Sequence, residues 1–329
     1  MLRDEILRYA QNDKGGVGPA TRTGSCKGTQ AIRDHDPGRA IGYTIVMEVP
    51  TNVSPAASAG STGPLEEIAA PLAPKPGAYP LMPGAEPFLY EAGPVGCLML
   101  HGFTSTPYEM RGLGRYLADR GITAGAALLA GHGTAPEDLA STTWQDWYAS
   151  ANDALDAMLA RCDRVFLAGL SLGGALTLYT AAHRGQDLAG IITMGAPIYV
   201  PPPIGSLLRG IQVQMPYLNK PYRDIEDPLA HNRHVSYERS PSAATASLIE
   251  FIAQVRGVLG QVTVPALVMY ARRDHVVPYM NSHHIYSRLA SHDKRLVALH
   301  RGFHIMTVDT DRDKVQQAVY EFISERSET

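Results

Sequence analysis

Cysteine is scarce. The 329 residues hold three, Cys26, Cys97 and Cys162, widely spaced and in no metal-type pair. That argues against a disulfide framework and makes a reducing, cytoplasmic setting the expectation. Cys97 lies in the apolar run 95–100 and reads as a small buried hydrophobe rather than a nucleophile. An excess of positive charge is missing too: 29 Lys and Arg stand against 32 Asp and Glu, a formal net charge of -3. A nucleic-acid partner, which calls for a basic face, is therefore not expected. No run reaches the roughly 18 apolar residues of a spanning helix, so stable membrane insertion is not expected either. Residues 40–49 follow Arg33 and Arg39 somewhat as an export signal would, but Glu48 interrupts the run and the polar stretch before it is too long. The histidines and carboxylates lack the helical two-His spacing of a zinc site, and no metal or other cofactor is expected.

What is present is an ordinary globular composition, 45% hydrophobic and 19% charged, long enough for one large α/β domain with extras. Residues 1–46 mix charges of both signs with glycine and show no sustained periodicity, which predicts a disordered extension. Met47 opens a different composition and is the expected native start, leaving the preceding residues outside the natural protein. Residues 47–84 are rich in Pro, Ala and Ser and read as an extended linker.

From 85 to 327 short apolar runs alternate with amphipathic helical segments, the pattern of a parallel sheet covered by helices on both faces. Strands are expected at 96–100, 122–129, 165–170, 188–195, 266–270 and 295–299. Helices are expected at 107–120, 142–162, directly after Ser171, at 281–289 and at 313–324. Residues 197–258 carry no strand signal and are broken by Pro197, Pro201, Pro202, Pro203, Pro216, Pro221, Pro228 and Pro241. A structureless loop of that length is uncommon, so an inserted cap is expected there.

The chemistry centres on Gly169-Leu170-Ser171-Leu172-Gly173, which follows an apolar run and precedes small and apolar residues at helical spacing. A serine on such a strand–turn–helix has strained backbone angles, and residues without a Cβ are required on either side of it. A hydroxyl is a weak nucleophile by itself, so a histidine and a carboxylate are expected further along. Asp274 lies just past the strand 266–270, and His304 follows the last strand and precedes the last helix. Ser171, Asp274 and His304 thus appear in the chain order of α/β-hydrolases. Asp309 and Asp311 are weaker rivals for the acid because they follow the base. His300 belongs to a strand end and His101 precedes the serine, so both read as structural. The motif His101-Gly102-Phe103-Thr104 closes the strand 96–100, where this fold takes one oxyanion-hole N–H; the other comes from the residue after the nucleophile. Those donors would be Phe103 and Leu172. Gly131-His132-Gly133 reads as a tight turn bracing the same edge, and His283-His284 as a helix surface.

With these segments the chain resembles the bacterial monoacylglycerol lipases and the related small carboxylesterases. The resemblance is carried by Gly84-Ala85-Glu86-Pro87-Phe88, Gly93-Pro94-Val95-Gly96, His101-Gly102-Phe103-Thr104, Gly131-His132-Gly133-Thr134, Gly169-Leu170-Ser171-Leu172-Gly173-Gly174 and Asp274-His275-Val276-Val277-Pro278, and runs from about residue 80 to 322. It implies an eight-stranded hydrolase core, a small cap, and a cofactor-free serine esterase acting on monoacylglycerols or short-to-medium-chain esters as a monomer or weak dimer. The alternative is a general short-chain carboxylesterase with little preference for monoglycerides. A hydrolase-fold binding protein without turnover implies a damaged triad, and none of these residues is missing. Leu172 stands where the lipases often have Met, and residues 199–234 follow no family pattern. Within that cap Ile204, Leu207, Leu208, Ile211 and Met215 recur at helix-face spacing, which fits internal packing or a wall for an acyl chain.

Overall fold

A computed structural model describes residue 72 and residues 78–200, 215–220 and 223–327 of the chain. The expectations for residues 1–46 and for a native start at Met47 fall outside these, as do four of the five residues in the apolar cap stripe.

Seven of the nine strands among the described residues form one sheet. In chain order they are β1 (Phe88–Tyr90), β2 (Val95–Leu100), β3 (Thr123–Ala127), β4 (Arg164–Leu170), β5 (Gly190–Met194), β8 (Ala266–Ala271) and β9 (Lys294–Leu299). The spatial order is β1-β3-β2-β4-β5-β8-β9, and all neighbours run parallel except β1, which pairs antiparallel with β3. Between β5 and β8, β6 (Tyr217–Asn219) and β7 (Arg239–Pro241) form a separate antiparallel pair.

The helices are α1 (Tyr108–Ala118), α2 (Pro136–Ala140), α3 (Trp144–Leu159), α4 (Leu172–Arg184), α5 (Pro228–Arg233), α6 (Ser242–Val258), α7 (Met280–Arg288) and α8 (Arg312–Ser324). Local chemistry sets their ends. At the start of α3 the Thr143 N–H donates to Asp146 at 2.8 Å, one half of a capping box. Asp227 caps α5 by accepting from the Leu229 and Ala230 N–H groups, with Pro228 at the first helical position, where a missing N–H costs nothing.

Alternation along the strands feeds two cores. Leu98, Leu100, Val165, Leu167 and Ile191 pack on one face with Trp147 and Leu155 of α3, Leu176 of α4 and Phe251 of α6. Cys97, Met99, Phe166, Ala168 and Ile192 pack on the other with Met110 and Leu113 of α1 and Val319 and Phe322 of α8. Because both faces are covered, the central strands read as nearly continuous apolar runs.

The α/β-hydrolase fold expected from the sequence is the one observed, with four refinements. The sheet has seven strands among the described residues, against eight expected. β1, whose three residues carry too little pattern to register, lies antiparallel at the edge. The linker does not run free to residue 84. Leu72 is buried in the core and its carbonyl accepts from Leu128, Ala78 and Tyr79 donate to Asp138, and the Met82 N–H donates to Gly133. Finally, 197–258 does contain strand. Pro241 fits β7 because a two-stranded ribbon has outer positions that require no N–H. The same segment ends in α6, whose Phe251 and Val255 pack in the core beside Leu176, so the part from Ser242 onward belongs to the helical layer over the sheet.

Candidate active site

Ser171 sits between the end of β4 and the start of α4 with φ 55° and ψ -115°, one of two non-glycine residues at positive φ among those described. Such a conformation costs about 1–3 kcal/mol and persists only where its surroundings enforce it. Here the Ser171 N–H donates to the Met194 carbonyl at 2.9 Å, and its own carbonyl accepts from Ala175 at 3.0 Å. The two flanking glycines are dictated by approach distance. A Cβ on Gly169 would stand 2.1 Å from the Gly173 oxygen, and one on Gly173 would stand 2.0 Å from the Leu100 oxygen at the end of β2.

The other non-glycine residue at positive φ is Thr104, at 63°, in the loop that leaves β2. Its hydroxyl donates to the Phe103 carbonyl at 2.6 Å and accepts from the Lys220 ammonium at 2.9 Å, while its carbonyl accepts from Tyr237. This loop passes beside the serine: a Cβ on Gly102 would lie 3.6 Å from Ser171 Cβ. Among the described residues the Phe103 N–H donates to no protein acceptor. Leu172 is the first residue of α4, a position whose N–H a helix leaves without an internal partner. The Phe103 ring packs on Trp147 and His132, with centroids 5.5 and 6.1 Å away.

His304 is buried and donates from Nδ1 to Asp274 Oδ2 at 2.7 Å. Asp274 Oδ1 accepts from the Val276 and Val277 N–H groups at 2.8 and 2.7 Å, which fixes the carboxylate. Gly195, directly after the Met194 that holds the Ser171 N–H, packs under this pair: a Cβ there would come 3.3 Å from the His304 ring and 3.4 Å from Asp274. His304 and Asp274 therefore meet on the loops after β9 and β8, and Ser171 follows β4, so all three lie at the carboxyl ends of parallel strands, where open α/β sheets gather functional groups. Burial pulls His304 towards its neutral form. The Asp274 charge and hydrogen bond, with Asp224 and Glu109 further off, outweigh burial and leave the imidazole above its ordinary pKa.

The other histidines and carboxylates near these strand ends have partners of their own. His101 donates from Nδ1 to Gly102 and accepts from the Leu129 N–H on Nε2, and burial pushes it down to about 4, so it stays neutral and braces two loops. His132 is lowered well below the usual range by burial and by His101 beside it, and it donates to Ala130 within a turn flanked by Gly131 and Gly133 at positive φ. Asp311 accepts from the His300, Arg301 and Gly302 N–H groups. Asp309 accepts from Phe303, Thr310, Glu226 and Asp227. His283 packs against Tyr270 and Tyr279. Of the apolar cap stripe only Met215 is described; it is exposed, and its carbonyl accepts from the Ser242 hydroxyl. Among the described residues no cluster of three or more His, Cys, Asp or Glu side chains could hold a metal ion, and no helix is long and apolar enough to cross a membrane.

Sequence reasoning missed a group beneath the Phe103 loop. Glu109 is fully buried, accepting from the Gly102 N–H at 2.9 Å and from His234 Nε2 at 3.0 Å, and Ser105 lies 3.2 Å from the same nitrogen. Its signal was legible: Glu109, Leu113 and Leu117 share one face of α1, so a carboxylate stands on the apolar stripe. Asp224, which no sequence pattern marks, accepts from the backbone of both His275 and His304.

A parallel sheet carrying a strained serine between strand and helix, with a His–Asp pair on later loops, defines an α/β-hydrolase. Residues 96–311 match the family model described as serine aminopeptidase, S33, and the chain belongs to that family. It is 36% identical over 249 residues to the thermostable monoacylglycerol lipase of Bacillus sp. (strain H-257), covering 76% of this chain and 98% of that one. Identity to the carboxylesterase of Bacillus subtilis (strain 168) is 31%, over 72% of this chain and 96% of the other. A solved structure from work on the metagenome-derived lipolytic enzymes LipS and LipT superposes with a TM-score of 0.72 at 33% identity, covering 75% of this chain and all of its own.

Burial alone would raise the Glu109 pKa, but the hydrogen bond and charge of His234 and the Gly102 N–H outweigh it and hold the carboxyl down at about 2. A depressed carboxyl stabilises the fold above its unfolded value of about 4.5, and that contribution disappears as pH falls through about 2. Glu109→Gln is therefore expected to flatten the loss of unfolding free energy across this acid range in urea titrations. Equal acid slopes in the two proteins would remove Glu109 from the account.

Proposed function

We propose that the protein hydrolyses carboxylic esters through an acyl-enzyme. Ser171 Oγ attacks the ester carbonyl carbon while His304 Nε2 takes its proton, and Asp274 stabilises the imidazolium that forms. The N–H groups of Phe103 and Leu172 receive the oxyanion of the tetrahedral intermediate, where losing one such donor typically costs about 3 kcal/mol. Collapse expels the alcohol, which leaves with the proton from His304. A water molecule then attacks the acyl-enzyme with His304 as base again, releasing the acid and free Ser171.

The observation that carries this reading is the 2.7 Å contact between His304 Nδ1 and Asp274. With Nδ1 donating, the neutral ring presents Nε2 as its acceptor, the role a serine hydroxyl requires. For the substrate we favour monoacylglycerols and short-to-medium-chain acyl esters, supported by the 36% identity to the Bacillus monoacylglycerol lipase. The 31% identity to a carboxylesterase supports the alternative, a short-chain esterase without monoglyceride preference. Ile204, Leu207, Leu208, Ile211 and Met215 are the proposed acyl wall. The scarcity of cysteine supports a cytoplasmic site of action, and monomer or weak dimer is the proposed state.

Ser171→Ala is expected to lose at least about 1,000-fold in hydrolysis of p-nitrophenyl esters, and monoacylglycerols are expected to be cleaved faster than tributyrin. Turnover that survives the substitution would reject the nucleophile, whereas indifference to the glycerol ester would favour the general esterase. The pH dependence follows from His304. Only its neutral form takes the Ser171 proton, so kcat/KM should rise with pH through a midpoint above the ordinary histidine value of about 6.5. Asp274→Asn should move that midpoint down and lower kcat by about 10,000-fold; an unmoved midpoint would contradict the pairing.

A further inference from the structure

We infer that Asp224 is a positioning residue for the proposed base, a buried carboxylate from the segment between β6 and α5 that holds the Asp274 and His304 loops in register. This rests on the reading of Ser171, Asp274 and His304 as a triad. Asp224 is 4% exposed. Its Oδ2 accepts from the His275 N–H at 3.0 Å and from the His304 N–H at 3.1 Å, and its Oδ1 accepts from His275 Nδ1 at 2.7 Å. One carboxylate thus bonds the main chain of the base itself and of the residue that follows the acid.

The two loops leave different strands, β8 and β9. Their side chains meet in the His304–Asp274 bond, but that bond alone does not fix the backbones that present them. Asp224 supplies the main-chain link, and its own carbonyl accepts from the Ile305 N–H at 3.2 Å. A bond in the reverse direction closes the arrangement: Asp309, on the His304 loop, accepts from the Glu226 and Asp227 N–H groups at 2.9 to 3.1 Å. The segment 224–227 and the loop 303–309 therefore hold each other through two carboxylates aimed in opposite directions. Buried N–H groups left without acceptors are costly, so removing either carboxylate forces the loop to move rather than leave them bare.

Asp224 also contributes charge. Among the described residues, the carboxylates that act most on His304 are Asp274 from the β8 loop, Asp224 from the segment before α5, and Glu109 from α1. His275 lies on the far side of Asp224 with its ring against Phe303 at 4.7 Å. Position and charge can be separated experimentally, because an asparagine keeps one acceptor oxygen for the two main-chain N–H groups and removes the charge.

The test uses the full chain and p-nitrophenyl butyrate, measuring kcat, KM and the pH midpoint for wild type, Asp224→Ala, Asp224→Asn and Ser171→Ala. Displacement of a reacting group by an ångström costs on the order of 100-fold. Asp224→Ala is expected to lose about that factor in kcat with KM within about threefold. Asp224→Asn should recover about tenfold of the loss while its midpoint stays below that of wild type. An unchanged kcat in Asp224→Ala overturns the inference, as does an equal fall in both variants with no shift of midpoint, the signature of a merely structural residue. If Asp224→Ala does not fold, the midpoint of Asp224→Asn decides: lowered supports the inference, unmoved overturns it. Turnover in Ser171→Ala overturns the triad and this inference together, whereas an inactive Ser171→Ala beside unaffected Asp224 variants overturns the positioning alone.

Discussion

The arrangement at the top of the sheet depends on one steric constraint, the closeness of the first turn of α4 to the end of β2. With the Gly173 Cα carried so near the Leu100 carbonyl that a Cβ would stand 2.0 Å from it, the helix can begin only if the chain turns sharply at Ser171. That turn explains the left-handed backbone of Ser171 and the glycine on each side. It also explains the anchoring of the Ser171 N–H on Met194, because a strained residue persists only where neighbours over-determine it. The next residue, Gly195, is where the His304–Asp274 pair packs, so the same anchor relates the serine to its proposed partners.

Around this turn the protein places irregular backbone in buried positions, and carboxylates make that tolerable. Glu109 receives the Gly102 N–H under the loop after β2, Asp311 receives three successive N–H groups after β9, and Asp309 and Asp224 tie the His304 loop to the segment before α5. Each replaces the ladder partner that a strand would have offered. An ionised acceptor makes stronger bonds than a neutral one, which suits loops that must hold side chains to a fraction of an ångström.

How legible this was in the sequence follows from the range of each interaction. The parallel strands were readable because both faces are buried and the apolar runs are continuous, as in Val165 to Leu170. The serine turn was readable because its requirement for glycine is local. That His304 and Asp274 lie side by side was readable from their places after strands, since topology brings the strand ends together. Three-residue strands such as β1 and β7 carry no usable period, and Pro241 argued against a strand that a ribbon edge tolerates. Leu72 looked like part of a linker because one apolar residue among prolines gives no hint of the core it enters. Asp224 and Asp309 were opaque for a different reason. The bonds by which they tie the segment 224–227 to the loop 303–309 span about 80 residues and end on main-chain N–H groups, which leave no trace in residue type. Glu109 was the exception, a carboxylate on an apolar helix face that marks itself.

The chain belongs to a family of serine hydrolases, and the central claim is that Ser171 is the residue that becomes acylated. The most direct measurement is covalent labelling of the full chain with a fluorophosphonate, followed by peptide mass mapping alongside residual ester hydrolysis. One phosphonylated residue, Ser171, is expected, with activity falling in proportion to its occupancy. A fully labelled Ser171 with ester turnover intact, or inactivation with the label on another residue, would contradict it.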